Sequence, residues 1–235
     1  MMKIGIFSDV HGNIYAFERV WEALKAEACD LYIFLGDICG YYYHQNEVIE
    51  MLKKTKGMIA VLGNHDDLFL KMSESEGMRK SYAERYGSSC ALLMSSIKED
   101  NLSFLKGLPR SHVLDEYNLC AFHGSPWDSL NGYVYPAESL DRFEGLKFRF
   151  VLLGHTHHCM DRKAGNVRVI NPGSCGQPRD EWHPSYATLN PESGDVKIRR
   201  VEYNRDWLMK EVMRRDEGRR YLIDVLTREK KGLYA

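Results

Sequence analysis

The sequence has no excess of charge of either sign. Its 32 Lys and Arg residues stand against 33 Asp and Glu, a formal net charge of -1 with a pI near 6.8. That balance excludes a blanket attraction to nucleic acid or an anionic membrane and leaves room only for a local basic site. The six cysteines (Cys29, Cys39, Cys90, Cys120, Cys159, Cys175) include no C-x-x-C pair. Neither a disulfide frame nor a thiolate zinc site is indicated, and the thiols read as reduced, in a cytosolic protein. No apolar run approaches the length of a membrane span. The N-terminus lacks the long apolar stretch and small-residue cleavage site of a secretory signal, so a cytoplasmic location is expected. Repeats, low-complexity tracts and linkers are also missing, which points to one domain over 1–235. With 44% hydrophobic residues, such a chain can bury a core without staples.

What is present is an alternation of short apolar runs and amphipathic stretches. Lys3 to Ser8 reads as a buried strand. Asn13 is placed to cap a helix on which Ile14, Phe17, Val20, Trp21 and Leu24 recur at helical spacing. Leu31 to Leu35 and Met58 to Leu62 are further strands, separated by a helix over about Gln45 to Lys54. This order argues for an α/β core. Residues 66–106 read as a helical excursion interrupted at Gly77 and Gly87. Strands are then expected at Ser111 to Asp115, Asn118 to His123, Phe148 to Leu153, Val167 to Ile170, Tyr186 to Leu189 and Val196 to Tyr203. Turns at Glu116-Tyr117, Gly165-Asn166 and Ser193-Gly194 make this half richer in antiparallel pairing. A charged helical tail over about 205–231 is expected on the outside, its bases interleaved with acids as on a solvated face.

The chemistry sits where strands end. Five apolar runs finish in Ser8-Asp9-Val10-His11, Gly36-Asp37, Gly63-Asn64-His65-Asp66, His123-Gly124 and Gly154-His155-Thr156-His157. Loops at strand carboxyl ends gather on one rim of an α/β sheet. The glycines beside these residues permit tight turns. Two carboxylates, one amide and four imidazoles, with no thiolate, suit manganese, iron or zinc in an open catalytic site rather than a closed structural zinc. Seven ligands exceed what one ion needs and fit two ions sharing a carboxylate, an arrangement suited to phosphoryl displacement.

The succession D-x-H, G-D, G-N-H-D, H-G and G-H-T-H resembles the five blocks of the calcineurin-like metallophosphoesterases. Together with Asn171-Pro172-Gly173-Ser174 and Gly176-Gln177-Pro178-Arg179-Asp180, it looks most like the small YfcE-type phosphodiesterase branch. The resemblance reaches about residue 180. It implies a mixed β-sheet sandwich flanked by helices, with the metal site at the carboxyl ends of strands. It also implies that Asp9, His11 and His157 hold one metal, Asn64, His123 and His155 a second, and that Asp37 bridges them. Manganese is the expected ion, with iron, zinc, nickel or cobalt as alternatives. A metal-bridging hydroxide would attack phosphorus, with His65 facing the leaving-group oxygen as general acid or electrostatic stabiliser and Asp66 as its orienting partner.

Around this set the reading stays open. The segment Tyr41-Tyr42-Tyr43-His44 departs from the Gly/Pro-containing loop of the branch; Tyr41 and its neighbours either stack on a substrate or pack against the helical excursion, packing being favoured. Arg179 has a guanidinium suited to phosphate. The turn carrying Asn171 and Ser174 either presents N–H groups to an anion or links two strands. His44, His112, His158 and His183 read as structural. The expected partner is a small phosphoester or nucleotide, with no membrane and no nucleic-acid module, in a monomer or homo-oligomer. Phosphodiesters are favoured, with phosphomonoesters and dinucleoside polyphosphates as alternatives. A non-catalytic scaffold, as in the retromer subunit of this fold, is disfavoured because all seven ligands and His65 are present.

Overall fold

Residue alternation along the strands builds two layers. Ile4 and Ile6 of β1 (Ile4–Phe7) point into one cluster while Phe7 points into another, because successive side chains leave a strand on opposite faces. The same split holds in β5 (Leu119–Phe122), where Leu119 and Ala121 face inward and Cys120 faces the opposite side. In β6 (Phe150–Leu152), Phe150 and Leu152 point inward and Val151 outward. The inward sets meet with Ile33, Leu35, Ile170, Ala187 and Leu189 in the core between two stacked sheets.

In this computed structural model, which describes residues 2–72 and 75–228, each sheet has five strands. The first combines β1, β2 (Leu31–Phe34), β3 (Met58–Ala60), β9 (Ser185–Leu189) and β10 (Val196–Arg200) in the order β10-β9-β1-β2-β3. Its β1, β2 and β3 run parallel, and β9 and β10 are antiparallel additions. The second holds β4 (Ser111–Leu114), β5, β6, β7 (Cys159–Ala164) and β8 (Val167–Pro172) in the order β4-β5-β6-β8-β7. Here β5, β6 and β8 are parallel, and antiparallel β4 and β7 close the edges.

The outer face of the first sheet is covered by α1 (Ile14–Ala26), α2 (Gln45–Lys54) and four short helices, α3 (Asn64–Met72), α4 (Glu76–Tyr86), α5 (Ser89–Ser96) and α6 (Glu99–Lys106). Asn13 caps α1 as its sequence suggests, its side chain accepting the Ala16 N–H at 3.1 Å. Gly87 ends α4 at φ +92°, whereas Gly77 lies inside that helix instead of interrupting it.

Two further features differ from the sequence expectation. Strand β7 was not anticipated; its outward residues are charged and its identity comes from a six-residue antiparallel register with β8. The tail, α7 (Asp206–Arg215) and α8 (Arg220–Leu226), is not merely an external face. Leu208, Val212, Leu222 and Leu226 are buried against Tyr41 and Tyr42. The last residues assigned to that tail, 229–231, lie outside the described residues.

Candidate metal centre

The parallel strands of both sheets deliver their following loops to one rim, and backbone hydrogen bonds lock those loops together. Asp9 and His11 N–H groups donate to the Gly36 and Asp37 carbonyls, at 2.9 and 3.0 Å. Gly154 N–H donates to His123 O at 2.8 Å, and Cys175 and Gly176 N–H groups donate to Ser8 and Asp9 carbonyls at 2.9 Å each. Residues far apart in sequence thus become one surface.

On it, Asp9, His11, Asp37 and His157 each place a ligand-type atom within 4.8 Å of the others, and Asp37, His123 and His155 form a second such group. Asp37 belongs to both. Asn64 adjoins the second group, its Oδ1 lying 2.9 Å from His123 Nε2. Asp9, His11, Asp37, His155 and His157 all have φ between +50° and +66°. That region is strained for non-glycine residues and persists where surrounding structure over-determines it, typically at functional sites.

The donor chemistry fits cations. The Nδ1 atoms of His11, His123 and His157 face the carbonyls of Cys39 (2.7 Å), Leu35 (2.7 Å) and Gln177 (2.6 Å). A carbonyl only accepts, so each Nδ1 carries hydrogen, and in the neutral ring Nε2 is left with a lone pair. His11 Nε2 and His157 Nε2 then confront each other at 3.1 Å. Two lone pairs at that separation repel unless something positive lies beside them. Asp9 Oδ1, Asp37 Oδ2 and His155 Nε2 are buried and have no hydrogen-bond partner among the described residues. Such orphaned acceptors are costly unless an ion satisfies them.

Burial and mutual repulsion set the protonation. Burial, and then the neighbouring His157, His123 and His155, lower His65 to about 3. Burial, and then His123, lower His155 to about 3. His11 and His157 are lowered by burial as well. Burial also opposes charge on His123, but the Asp37 carboxylate 3.4 Å away overrides it and raises this ring to about 9. Burial pushes Asp37 up to about 6 against the pull of His123.

His65 is 7% exposed, its ring set edge-on to His11 (5.1 Å) and Tyr86 (5.1 Å) and tilted against Tyr41 (5.0 Å). Its Nδ1 meets the Tyr82 hydroxyl at 3.0 Å. Asp66, expected to orient His65, does something else. Its Oδ2 accepts the N–H groups of Asp37 (3.0 Å) and Gly63 (3.1 Å), and its Oδ1 those of Ile38 (2.9 Å) and Cys39 (2.8 Å). Both oxygens are thereby committed to shaping the turn that presents Asp37.

Asn171 and Ser174 likewise spend their side chains on neighbouring loops. The Asn171 amide donates to Gly154 O (2.7 Å) and Thr156 Oγ1 (3.1 Å), and its oxygen accepts from Gly173 N–H (2.9 Å). Ser174 Oγ donates to Asp9 O (2.7 Å) and accepts from Gln177 N–H (2.8 Å). Both side chains are fully buried.

Tyr41, by contrast, lies at the site, its ring perpendicular to that of His11 with centroids 4.6 Å apart and its hydroxyl 3.2 Å from Arg179 Nη2. It also packs on Tyr86 of the excursion. Tyr42, Tyr43 and His44 turn away to the tail, meeting Leu222 O, Asp216 and Glu211. Arg179 makes no ion pair among the described residues, and its charge lowers His65, His155 and His157 together.

The model of the calcineurin-like phosphoesterase superfamily domain matches residues 2–194. The chain belongs to this superfamily. Protein MJ0912 of Methanocaldococcus jannaschii is 30% identical over 228 residues, covering 86% of this chain and 88% of that protein. Phosphodiesterase YfcE of Escherichia coli K12 is 24% identical over 200 residues, covering 81% and 88%. A metallophosphoesterase from Sphaerobacter thermophilus superposes with a TM-score of 0.80 at 27% identity, covering 96% of this chain and 98% of its own.

Within this superfamily framework, the two clusters sharing Asp37 are consistent with a dinuclear divalent-metal centre. Two residues at the centre escaped the sequence reading. Tyr82 lay in a stretch legible only as helix, and Tyr133 in a loop without a motif. Tyr133 packs its ring 4.1 Å from His155.

Proposed function

We propose that the protein is a dinuclear metal-dependent phosphoesterase acting on phosphodiesters and nucleotide-type esters. The observation that carries this reading is the convergence of unpartnered acceptors, Asp9 Oδ1, Asp37 Oδ2 and His155 Nε2, with the facing His11 and His157 nitrogens. Asp9, His11 and His157 would hold one cation, Asn64, His123 and His155 the other, and Asp37 both. Two divalent cations supply charge for the phosphoryl oxygens and lower the pKa of water.

The chain's own residues do the rest. His65, its Nδ1 engaged by Tyr82, offers Nε2 to the leaving-group oxygen. Arg179, without a carboxylate partner among the described residues, supplies a forked donor for a non-reacting phosphate oxygen. Tyr41 holds that guanidinium over the site. Kinship with the YfcE-type branch, supported by the E. coli relative, favours diesters over monoesters. Manganese is the ion proposed, on the resemblance, for an N/O set that iron or zinc would also suit, and six free thiols suit a reducing cytoplasm. Residues 1–235 are taken as a single working domain.

The test is metal analysis of the purified protein and hydrolysis of bis-p-nitrophenyl phosphate, p-nitrophenyl phosphate and diadenosine tetraphosphate with manganese. About two ions per chain are expected, with a diesterase activity that a chelator abolishes and manganese restores. Silence toward all three substrates with both sites filled would favour a binding scaffold.

A further inference from the structure

Five large apolar side chains stay exposed among the described residues: Val113, Trp127, Tyr133, Trp207 and Met213. Of these, Tyr133 has its ring against that of a candidate metal ligand, His155. It is 52% exposed, so one edge or face remains open to solvent beside the centre.

The loop that carries it is tied down by hydrogen bonds. Gly124 N–H donates to Ser129 O (2.8 Å), while Ser125 and Gly132 N–H groups both donate to Asp128 O (2.8 and 3.1 Å). Asp128 Oδ1 accepts from Leu130 and Asn131 N–H groups at 3.2 and 3.0 Å. A Cβ on Gly132 would sit 2.1 Å from Ser125 Oγ and 2.7 Å from Asp128 O, so the turn leaves no space at the residue before Tyr133. Leu130 and Val134 are buried on either side. The fold thus anchors the loop by its neighbours and leaves a large aromatic ring over the rim, where the hydrophobic core does not use it.

Beside it, Tyr135 lies nearly parallel, with ring centroids 5.7 Å apart and planes at 7°. A planar ring system attached to a phosphate at the metal centre would lie beside this platform, because the Tyr133 and His155 ring centroids are only 4.1 Å apart.

We propose that Tyr133, flanked by Tyr135, is a stacking subsite that selects phosphoesters bearing a nucleobase. This rests on the phosphoesterase reading and narrows it to nucleoside esters over aliphatic ones. A preformed aromatic surface gains stacking energy without ordering a flexible side chain, and every base has a π-face to offer.

The experiment is calorimetric titration of the manganese-loaded protein with AMP and with ribose 5-phosphate, which share sugar and phosphate and differ in the base. Wild type should bind AMP about tenfold or more tightly than ribose 5-phosphate, in line with one stacked base. Tyr133→Leu, which keeps apolar bulk without a ring, should abolish that preference and leave ribose 5-phosphate affinity unchanged. Tyr133→Phe should restore the preference. Equal affinity of wild type for the two ligands, or equal losses for both in Tyr133→Leu, would overturn the subsite. Failure of the phosphoesterase reading would register differently, as absence of hydrolysis by a metal-loaded protein whose AMP preference is intact.

Discussion

His65 is held at a hydroxyl, and that contact decides how it can act. Tyr82 is 4% exposed, and Gly40 leaves the room it needs, since a Cβ there would lie 2.8 Å from His65 Nδ1 and 2.9 Å from Tyr82 Oη. His65→Ala should lower kcat by about 10²–10⁴-fold while manganese content stays near wild type; a matching fall in bound metal would show the ring to be structural. Tyr82→Phe should separate substrates by leaving group. Esters that expel an alkoxide should slow about tenfold, whereas p-nitrophenyl esters, whose phenolate leaves without a proton, should hardly change. The same loss on both kinds would make Tyr82 a prop for the helix and not an orienting partner.

At the scale of elements, the centre depends on loops pressed together without side-chain volume between them. Gly63 lies between β3 and α3, and a Cβ there would fall 2.0 Å from Asp37 Oδ1 and 2.2 Å from Asp37 N. Backbone cannot retreat from such a clash, because Asp66 pins it from the other side. Gly63→Ala should therefore displace the shared carboxylate and reduce bound metal below one ion per chain by elemental analysis. Normal occupancy would show Asp37 to be dispensable as a bridge. Asn171→Ala tests the buttress on the opposite side. It strips partners from Gly154 O and Gly173 N–H, and a loss of about 1–3 kcal/mol in denaturant unfolding is expected.

Over the whole molecule, the centre makes the metal-free protein sensitive to acid. His65 and His155 are lowered to about 3 by burial and neighbouring rings, against 6.5 when unfolded. Neither costs stability above pH 6.5, where both states are neutral. As pH falls below 6.5 the unfolded chain takes up these protons first, so stability is lost progressively toward pH 3. Asp9, held below its ordinary value, adds a loss near pH 4 and below. His123, raised to about 9, works oppositely: its contribution is complete below 6.5 and fades as pH rises through 9. Asp37, raised to about 6, binds its proton first in the folded state and opposes the loss by one proton against the two of His65 and His155, so the melting temperature in chelator should still drop between pH 7 and pH 5, and a flat or rising profile would contradict these environments. The tail is coupled to the same region. Asp216 accepts from Tyr43 Oη (2.8 Å), Ser88 N (2.8 Å) and Ser88 Oγ (2.9 Å), joining the excursion, the tyrosine segment and α7. Asp216→Ala should destabilise by about 1–3 kcal/mol, read from denaturant midpoints.

The ligand-type residues and the order of most elements were legible because both are local. Polar clusters ending apolar runs announce themselves within a few residues, and helix α2 lies where its pattern places it. Strand β7 was not legible, since an edge strand with charged outward residues takes its identity from the partner it pairs with. Nor were the tasks of Asp66, Asn171 and Ser174. Their sequence shows donors and acceptors of the right kind, but whether these meet a substrate, a histidine or a backbone is settled by loops as much as 165 residues away. Composition and spacing determined which chemistry the chain can hold. Only the tertiary structure decided which groups remain unpartnered to perform it, because hydrogen bonds between distant loops consume some side chains and leave others with open lone pairs.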